Sequence, residues 1–162
     1  MLSNEAIKKI DYELTKYPAD KRQAAVMAAL RIVQTEHGWL SKESMTEIAE
    51  YLRIPEIAVM EVASFYNMYE LEPVGQYKIT ICTNISCMLR DSDAIVHHLQ
   101  NKLGVGFNEV TVDGKFCLKE GECMGACGGA PLMIVNNHTM HEFLTIDKVD
   151  AILLDLNQKA LN

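Results

Sequence analysis

Five cysteines stand at positions 82, 87, 117, 123 and 127, and four of them form two close pairs. Four residues separate Cys82 from Cys87, and three separate Cys123 from Cys127. The second pair lies in the run Gly121-Glu122-Cys123-Met124-Gly125-Ala126-Cys127-Gly128-Gly129. Paired thiols beside glycines suit metal ligation. Small residues leave backbone N–H groups free to approach the sulfurs of an inorganic cluster, and two irons bridged by two sulfides take four thiolates. A [2Fe–2S] centre matches that count. Zinc also takes four thiolates, but structural zinc sites favour knuckles with two residues between ligands, so spacing favours iron–sulfur and leaves zinc open. A redox dithiol needs Cys-x-x-Cys, which is absent. The plant-type ferredoxin spacing would require a cysteine at position 90, where Arg90 stands. A Rieske centre would need histidines paired with cysteines, whereas His97, His98, His138 and His141 lie apart from both pairs. Cys117, alone in a β-like run, reads as a packed small hydrophobe.

Two kinds of element must position these residues. Up to about Leu71 the apolar period is helical. Ser3 caps a first helix carrying Ile7, Ile10 and Leu14, and Pro18 ends it. A second runs from about Asp20 through Val26, Met27, Leu30 and Val33 to Gly38. Ser41 caps a third, with Met45, Ile48, Ala49 and Leu52 on one face, and Pro55 opens a fourth carrying Ile57, Met60, Val62, Ala63, Phe65 and Tyr66. Four short helices with tight loops make a small bundle over residues 1–72.

After Pro73 and Gly75 the period changes. Tyr77 to Cys82 reads as a buried strand, Asp91 to Leu103 as a helix ended by Gly104, and Glu109 to Val112 as a short strand. Asp113-Gly114 turns that strand into Lys115 to Leu118. Leu132 to Val135 and Thr139 to Phe143 are further strands about Asn136-Asn137, and Ile146 to Leu156 is a closing amphipathic helix. Residues 76–162 thus predict a small α/β sandwich with helices on a mixed sheet, and the chain as a whole is α+β in two parts.

Composition bounds the function. The 162 residues carry 15 Lys and Arg against 22 Asp and Glu, a net charge of −7, which disfavours a nucleic-acid backbone as partner. No apolar run approaches the roughly 20 residues of a membrane helix, and the N-terminus has no basic and apolar leader, so direct membrane insertion is not expected and the reading is cytoplasmic. Gly104-x-Gly106 is followed by Glu109 without a third glycine, so no dinucleotide fingerprint is present. Ser41 to Tyr66 resembles a helix-turn-helix, but Glu56 to Glu70 holds no Lys or Arg to engage phosphates or guanine edges, which argues against a cluster-bearing transcriptional regulator.

Taken together, several motifs resemble one family, the 24-kDa-type [2Fe–2S] subunits of the NADH dehydrogenase module of bacterial respiratory complex I. In the helical part they are His37-Gly38-Trp39-Leu40, Ile48-Ala49-Glu50-Tyr51-Leu52, Val62-Ala63-Ser64-Phe65-Tyr66 and Pro73-Val74-Gly75. In the second part they are Ile81-Cys82-Thr83-Asn84 with Cys87, Asp113-Gly114-Lys115-Phe116, Glu122 to Cys127, and Ala130-Pro131. The resemblance implies a thioredoxin-like ferredoxin fold for the second part, with Cys82, Cys87, Cys123 and Cys127 holding one [2Fe–2S] cluster. It implies an electron carrier with no active site of its own, docked against an FMN- and NADH-binding subunit and a neighbouring iron–sulfur subunit. That places it in the peripheral arm of a membrane-bound complex. The equivalent small subunit of an NAD-linked hydrogenase or formate dehydrogenase is the alternative. Position 117 commonly holds Thr in this family and 124 Leu, so Cys117 and Met124 depart from the pattern. Four thiolates, two sulfides and two ferric ions sum to about −2, which in an acidic protein favours a low potential. Gly125 and Gly129 are expected to offset part of this by hydrogen bonds to the cluster sulfurs.

Overall fold

The computed structural model describes residues 2–159; the outermost positions of the two expected domains, 1 and 160–162, lie outside these. The chain divides into two compact units, Met1–Pro73 and Val74–Asn162.

The first unit is helical. α1 (Asn4–Leu14) begins where the Ser3 hydroxyl accepts the Ala6 N–H at 2.9 Å, and α3 (Lys42–Leu52) begins where Ser41 accepts the Ser44 N–H at 3.1 Å. Each cap satisfies one of the donors that a helix start leaves without an intrahelical partner. The second helix starts later than its period predicts. Arg22–Ala25 forms one 3-10 turn, and α2 proper spans Val26–His37, closing at Gly38 with φ +82. The tighter turn lets Arg22 donate to the Tyr51 and Leu52 carbonyls at 2.9 and 3.1 Å, which satisfies the C-terminal end of α3. α4 (Glu56–Phe65) follows Pro55. Ile10, Leu30, Leu40, Ile48 and Leu52 are fully buried between these helices. Each contributes roughly 1.5–3 kcal/mol of burial free energy.

Beyond α4, Gln34 of α2 grips the outgoing chain from both sides of its amide. Its Nε2 donates to the Met68 carbonyl at 2.9 Å, and its Oε1 accepts the Glu70 N–H at 2.7 Å. The four Met residues of helical spacing divide in the fold. Met45 is buried and Met68 packs against the core, whereas Met27 and Met60 are exposed.

The second unit is a five-stranded sheet, ordered β2-β3-β1-β4-β5. Its strands are β1 (Tyr77–Cys82), β2 (Glu109–Val110), β3 (Phe116–Gly121), β4 (Met133–Val135) and β5 (Thr139–His141). β1 is parallel to β3, and all other pairings are antiparallel. A parallel pair needs a long crossover, supplied here by α5 (Ile85–Met88) and α6 (Ser92–Leu103). One sheet face presents Ile79, Ile81, Leu118 and Met133 to Leu99 of α6 and Val149 of α7 (Ile146–Lys159).

Three departures from the sequence reading bear on the site. α5 was not anticipated, because one turn of four residues carries no period. β3 runs three residues beyond Leu118, since pairing with β1 carries Lys119-Glu120-Gly121 into the sheet despite their polarity. β2 and β5 are shorter than their β-like runs, and α7 is longer, ending at Lys159.

Candidate metal centre

All four paired cysteines gather at one end of the sheet, for a topological reason. β1 and β3 are parallel, so both finish at the same edge, and Cys82 pairs in register with Gly121. The loop leaving Gly121 returns as β4, which pairs with β1 on its other side. The Cys82 N–H donates to the Leu132 carbonyl at 3.1 Å and the Thr83 N–H to the Gly121 carbonyl at 3.0 Å. The Thr83 hydroxyl also donates to Glu120 Oε1 at 2.9 Å. Cys82 is thereby locked between the start and the end of the 122–132 loop.

Cys87 is set over Cys82 by α5. Asn84 opens that turn, its Oδ1 accepting the Ile85 N–H at 2.9 Å while its carbonyl accepts the Cys87 N–H at 2.8 Å. Cys82 and Cys87 are both buried, against Ala130 and Leu132, with Met124 and Ala126 partly buried beside them. Burial pushes the Cys87 thiol up to about 11; the neighbouring Cys82 adds to the rise through a hydrogen bond and its charge, and Cys127 through charge alone. A hydrogen bond from the Leu132 backbone acts the other way. In this apolar recess the Cys87 thiol holds its proton, which a cation would have to displace.

Cys123 and Cys127 differ in kind. Both are exposed, on a loop with little regular structure. Gly125 turns that loop at φ +70, and its N–H donates to Cys123 Sγ at 3.4 Å. Cys127 starts a short 3-10 turn, Cys127–Gly129. The structure thus brings Cys82 and Cys87 together with Cys127 within electrostatic reach, while Cys123 stays on the outer part of the loop. Among the described residues no group of three or more His, Cys, Asp and Glu is arranged as a metal cage.

The donor set nonetheless suits a [2Fe–2S] centre: four thiols, two from a buried recess and two from the adjoining glycine-rich loop. None of the five cysteines is in a disulfide. Cys117 is buried near the start of β3, opposite Lys78 of β1, and so lies within the sheet and not on the loop.

The two glycines expected to donate to the cluster part company. Gly125 does turn its N–H to a cysteine sulfur. Gly129 does not, because its N–H donates to the Ala126 carbonyl at 2.9 Å. Gly129 is needed for space: a Cβ there would lie 2.5–2.7 Å from Cδ, Cβ and Cγ of Glu142. The segment bearing Glu142 also straps the loop, since the Phe143 N–H donates to the Gly129 carbonyl at 2.6 Å and the Leu144 N–H to the Pro131 carbonyl at 2.9 Å. Sequence reasoning missed this strap, which lies far from any cysteine in the chain. Asp91, Asp93, Glu120 and Glu122 are exposed, as is His97, and His98 pairs with Asp150 at 2.7 Å.

The model of the thioredoxin-like [2Fe–2S] ferredoxin family matches residues 10–157. The chain belongs to this family. It is 38% identical over 147 residues to NADH-quinone oxidoreductase subunit 2 of Thermus thermophilus, covering 91% of this chain and 81% of the relative. It is 40% identical over 144 residues to an NADH-quinone oxidoreductase subunit of Rhizobium meliloti, covering 89% and 84%. In fold it is similar to a chain of an NAD+-reducing [NiFe]-hydrogenase in the H2-reduced state, with a TM-score of 0.72 and 20% identity over 82% of this chain. The match spans only 22% of that hydrogenase chain. Among the described residues, no helix is long and apolar enough to cross a membrane.

Proposed function

We propose that this chain is the binuclear iron–sulfur subunit of an NADH:quinone oxidoreductase, with Cys82, Cys87, Cys123 and Cys127 as the ligands of one [2Fe–2S] cluster. The observation that carries the reading is the coincidence of two facts. The chain aligns over nine-tenths of its length with a relative named as an NADH-quinone oxidoreductase subunit. Its buried pair, Cys82 and Cys87, also lies at the sheet end from which the loop bearing Cys123 and Cys127 departs.

When bound, the cluster accepts and releases one electron at a time. The chain's own residues supply the rest. Cys82 and Cys87 provide two anchored sulfurs in a recess that excludes water, with Ala130 and Leu132 as its apolar wall. The Gly125 N–H steadies charge on Cys123, and the Glu142–Leu144 strap sets where Cys127 stands. The exposed side of the loop is the side from which electrons enter and leave. Lacking a nucleotide-binding fingerprint, the chain relies for hydride chemistry on an FMN- and NADH-binding subunit. With a neighbouring iron–sulfur subunit, it belongs to the peripheral arm, on the cytoplasmic side of a membrane-bound complex. An equivalent subunit of an NAD-linked hydrogenase shares this fold, at lower identity than the quinone-oxidoreductase relatives.

Anaerobic purification with iron and acid-labile sulfide assays, followed by EPR of the reduced protein, tests the cluster. The expected result is about two irons and two labile sulfides per chain with a rhombic spin-half signal. Zinc without labile sulfide rejects it. Co-purification from the source cells distinguishes the parent complexes, because a hydrogenase subunit in the assembly would replace the quinone-linked reading.

A further inference from the structure

The acidic side chains near the cysteine loop differ in how the fold places them. Glu120 and Glu122 are exposed, and Glu120 is engaged by the Thr83 hydroxyl. Glu142 is partly buried in the strap between β5 and α7. Its side chain lies across Gly129, where a Cβ would meet its Cδ at 2.5 Å. Among the described residues its carboxylate has neither a hydrogen bond nor an ion pair. A carboxylate withdrawn from water without a partner is costly, and its field is screened less than that of a surface charge.

The backbone is bent to put it there. Phe143 stands at φ +49, a left-handed conformation that disfavours bulky residues, and its ring gains little, being 60% exposed. Two bonds onto the cysteine loop hold the turn, from the Phe143 N–H to the Gly129 carbonyl and from the Leu144 N–H to the Pro131 carbonyl. The nearby basic groups leave the carboxylate charge standing. Lys148 is exposed, and its Nζ donates to the backbone carbonyl of Glu142. Burial, and then the Lys148 charge, holds the His141 imidazole below its ordinary value, so it is neutral near pH 7.

Cys127 opens the 3-10 turn that Gly129 ends. At a rise of about 2 Å per residue, the carboxylate stands on the order of 10 Å from the Cys127 backbone. A [2Fe–2S] centre with four thiolates goes from a charge of about −2 to about −3 on taking one electron. A fixed negative charge at that range opposes the added electron. We propose that Glu142 sets the potential of the metal centre, its carboxylate disfavouring the reduced state, and that position 129 is glycine to admit it. The role rests on the cluster reading above, and Gly129 serves it by making room, not by donating a hydrogen bond.

Redox titration of the full, cluster-loaded chain, with dithionite as reductant and EPR as readout, tests this. Glu142→Gln keeps the shape and removes the charge. It is expected to make one-electron reduction about tenfold easier, a rise of about 59 mV. Glu142→Asp, which keeps the charge, is expected to stay near wild type. Iron content and g-values of both should match wild type, because the strap is held by backbone bonds. Lys148→Gln removes the ammonium beside Glu142 and is expected to lower the potential by a smaller step. It carries the comparison where Glu142→Gln loses its cluster. An unmoved or lowered potential in Glu142→Gln overturns the proposal, and so does an unmoved or raised one in Lys148→Gln. An equal rise in Glu142→Asp and Glu142→Gln also overturns it, since packing and not charge would then be the cause. A wild-type chain without iron and labile sulfide rejects the cluster reading and this proposal with it. A loaded wild type whose potential ignores Glu142 rejects this proposal alone.

Discussion

The two cysteine pairs have the same chemistry and opposite settings. Cys82 and Cys87 are buried, one ending a central strand and the other fixed by a capped single turn, with Leu132 against both. Cys123 and Cys127 are exposed on a loop whose shape comes from a left-handed glycine and from a strap contributed by a distant segment. The first pair is built by the sheet, before any metal need be present. The second stands in solvent on a loop tied down at its far end. Under the reading proposed above, the first pair would fix where a cluster sits and the second would complete its ligand set from the loop. The rigid pair has a cost, because burial and the adjacent Cys82 disfavour ionisation of Cys87.

The largest expected effect comes from breaking the rigid side. Cys87→Ser should abolish the reduced EPR signal and reduce iron content to background, since a hydroxyl cannot replace a thiolate in an apolar recess. Cys123→Ser, on the exposed loop, should retain partial iron with an altered spectrum. Equal loss in the two variants would erase the distinction between the pairs.

Next in size is thiol reactivity in the metal-free chain. At pH 8 the exposed Cys123 and Cys127 should react with iodoacetamide tenfold or more faster than Cys87. Burial and the adjacent Cys82 push the Cys87 thiol up to about 11. A raised thiol value means that the reactive thiolate is scarce well below that pH, so the Cys87 rate should climb steeply between pH 9 and 11. Mass mapping of the modified peptides reads the order, and rapid labelling of Cys87 at pH 8 would contradict a closed recess.

A smaller effect probes the strap. Gly129→Ala must displace Glu142, whose side chain occupies the Cβ position. Overpacking of this kind costs about 1–3 kcal/mol. It should lower the melting temperature and shift the EPR g-values, because Cys127 is two residues away. Gly128→Ala, which meets open space, is the control and should do neither.

The smallest effect is expected at the fifth cysteine. Cys117→Ala should leave iron and sulfide unchanged, and should cost about 1 kcal/mol for the lost buried sulfur. Iron analysis and thermal unfolding check both parts. Loss of iron here, or rescue of a Cys123 variant by Cys117, would add Cys117 to the ligand set.

Much of this was legible in the order of the residues. The helical period, Ser3, Ser41 and Gly38 placed three of the first four helices, because caps and stops are local chemistry. The paired thiols and their glycines pointed to a metal site for the same reason. What escaped was non-local. α5 is too short to show a period. The far end of β3 looks polar, and joins the sheet only because β1 lies beside it. Ile57 and Phe65 look like core residues, yet face outward, because in a helix with apolar residues on both sides the period does not say which side is in.

The sequence by itself determined which residues could bind metal and in which local elements they stand, since spacing, caps and turns act over a few residues. The tertiary structure alone decided that Cys82 and Cys87 meet in a dry recess, that Gly129 makes room for Glu142, and that the loop pair stays in solvent. These depend on contacts that local spacing does not show, such as Cys82 with Leu132 and Gly129 with Glu142. They exist because a parallel β1–β3 pair and its antiparallel neighbour β4 bring those segments to the same end of one sheet.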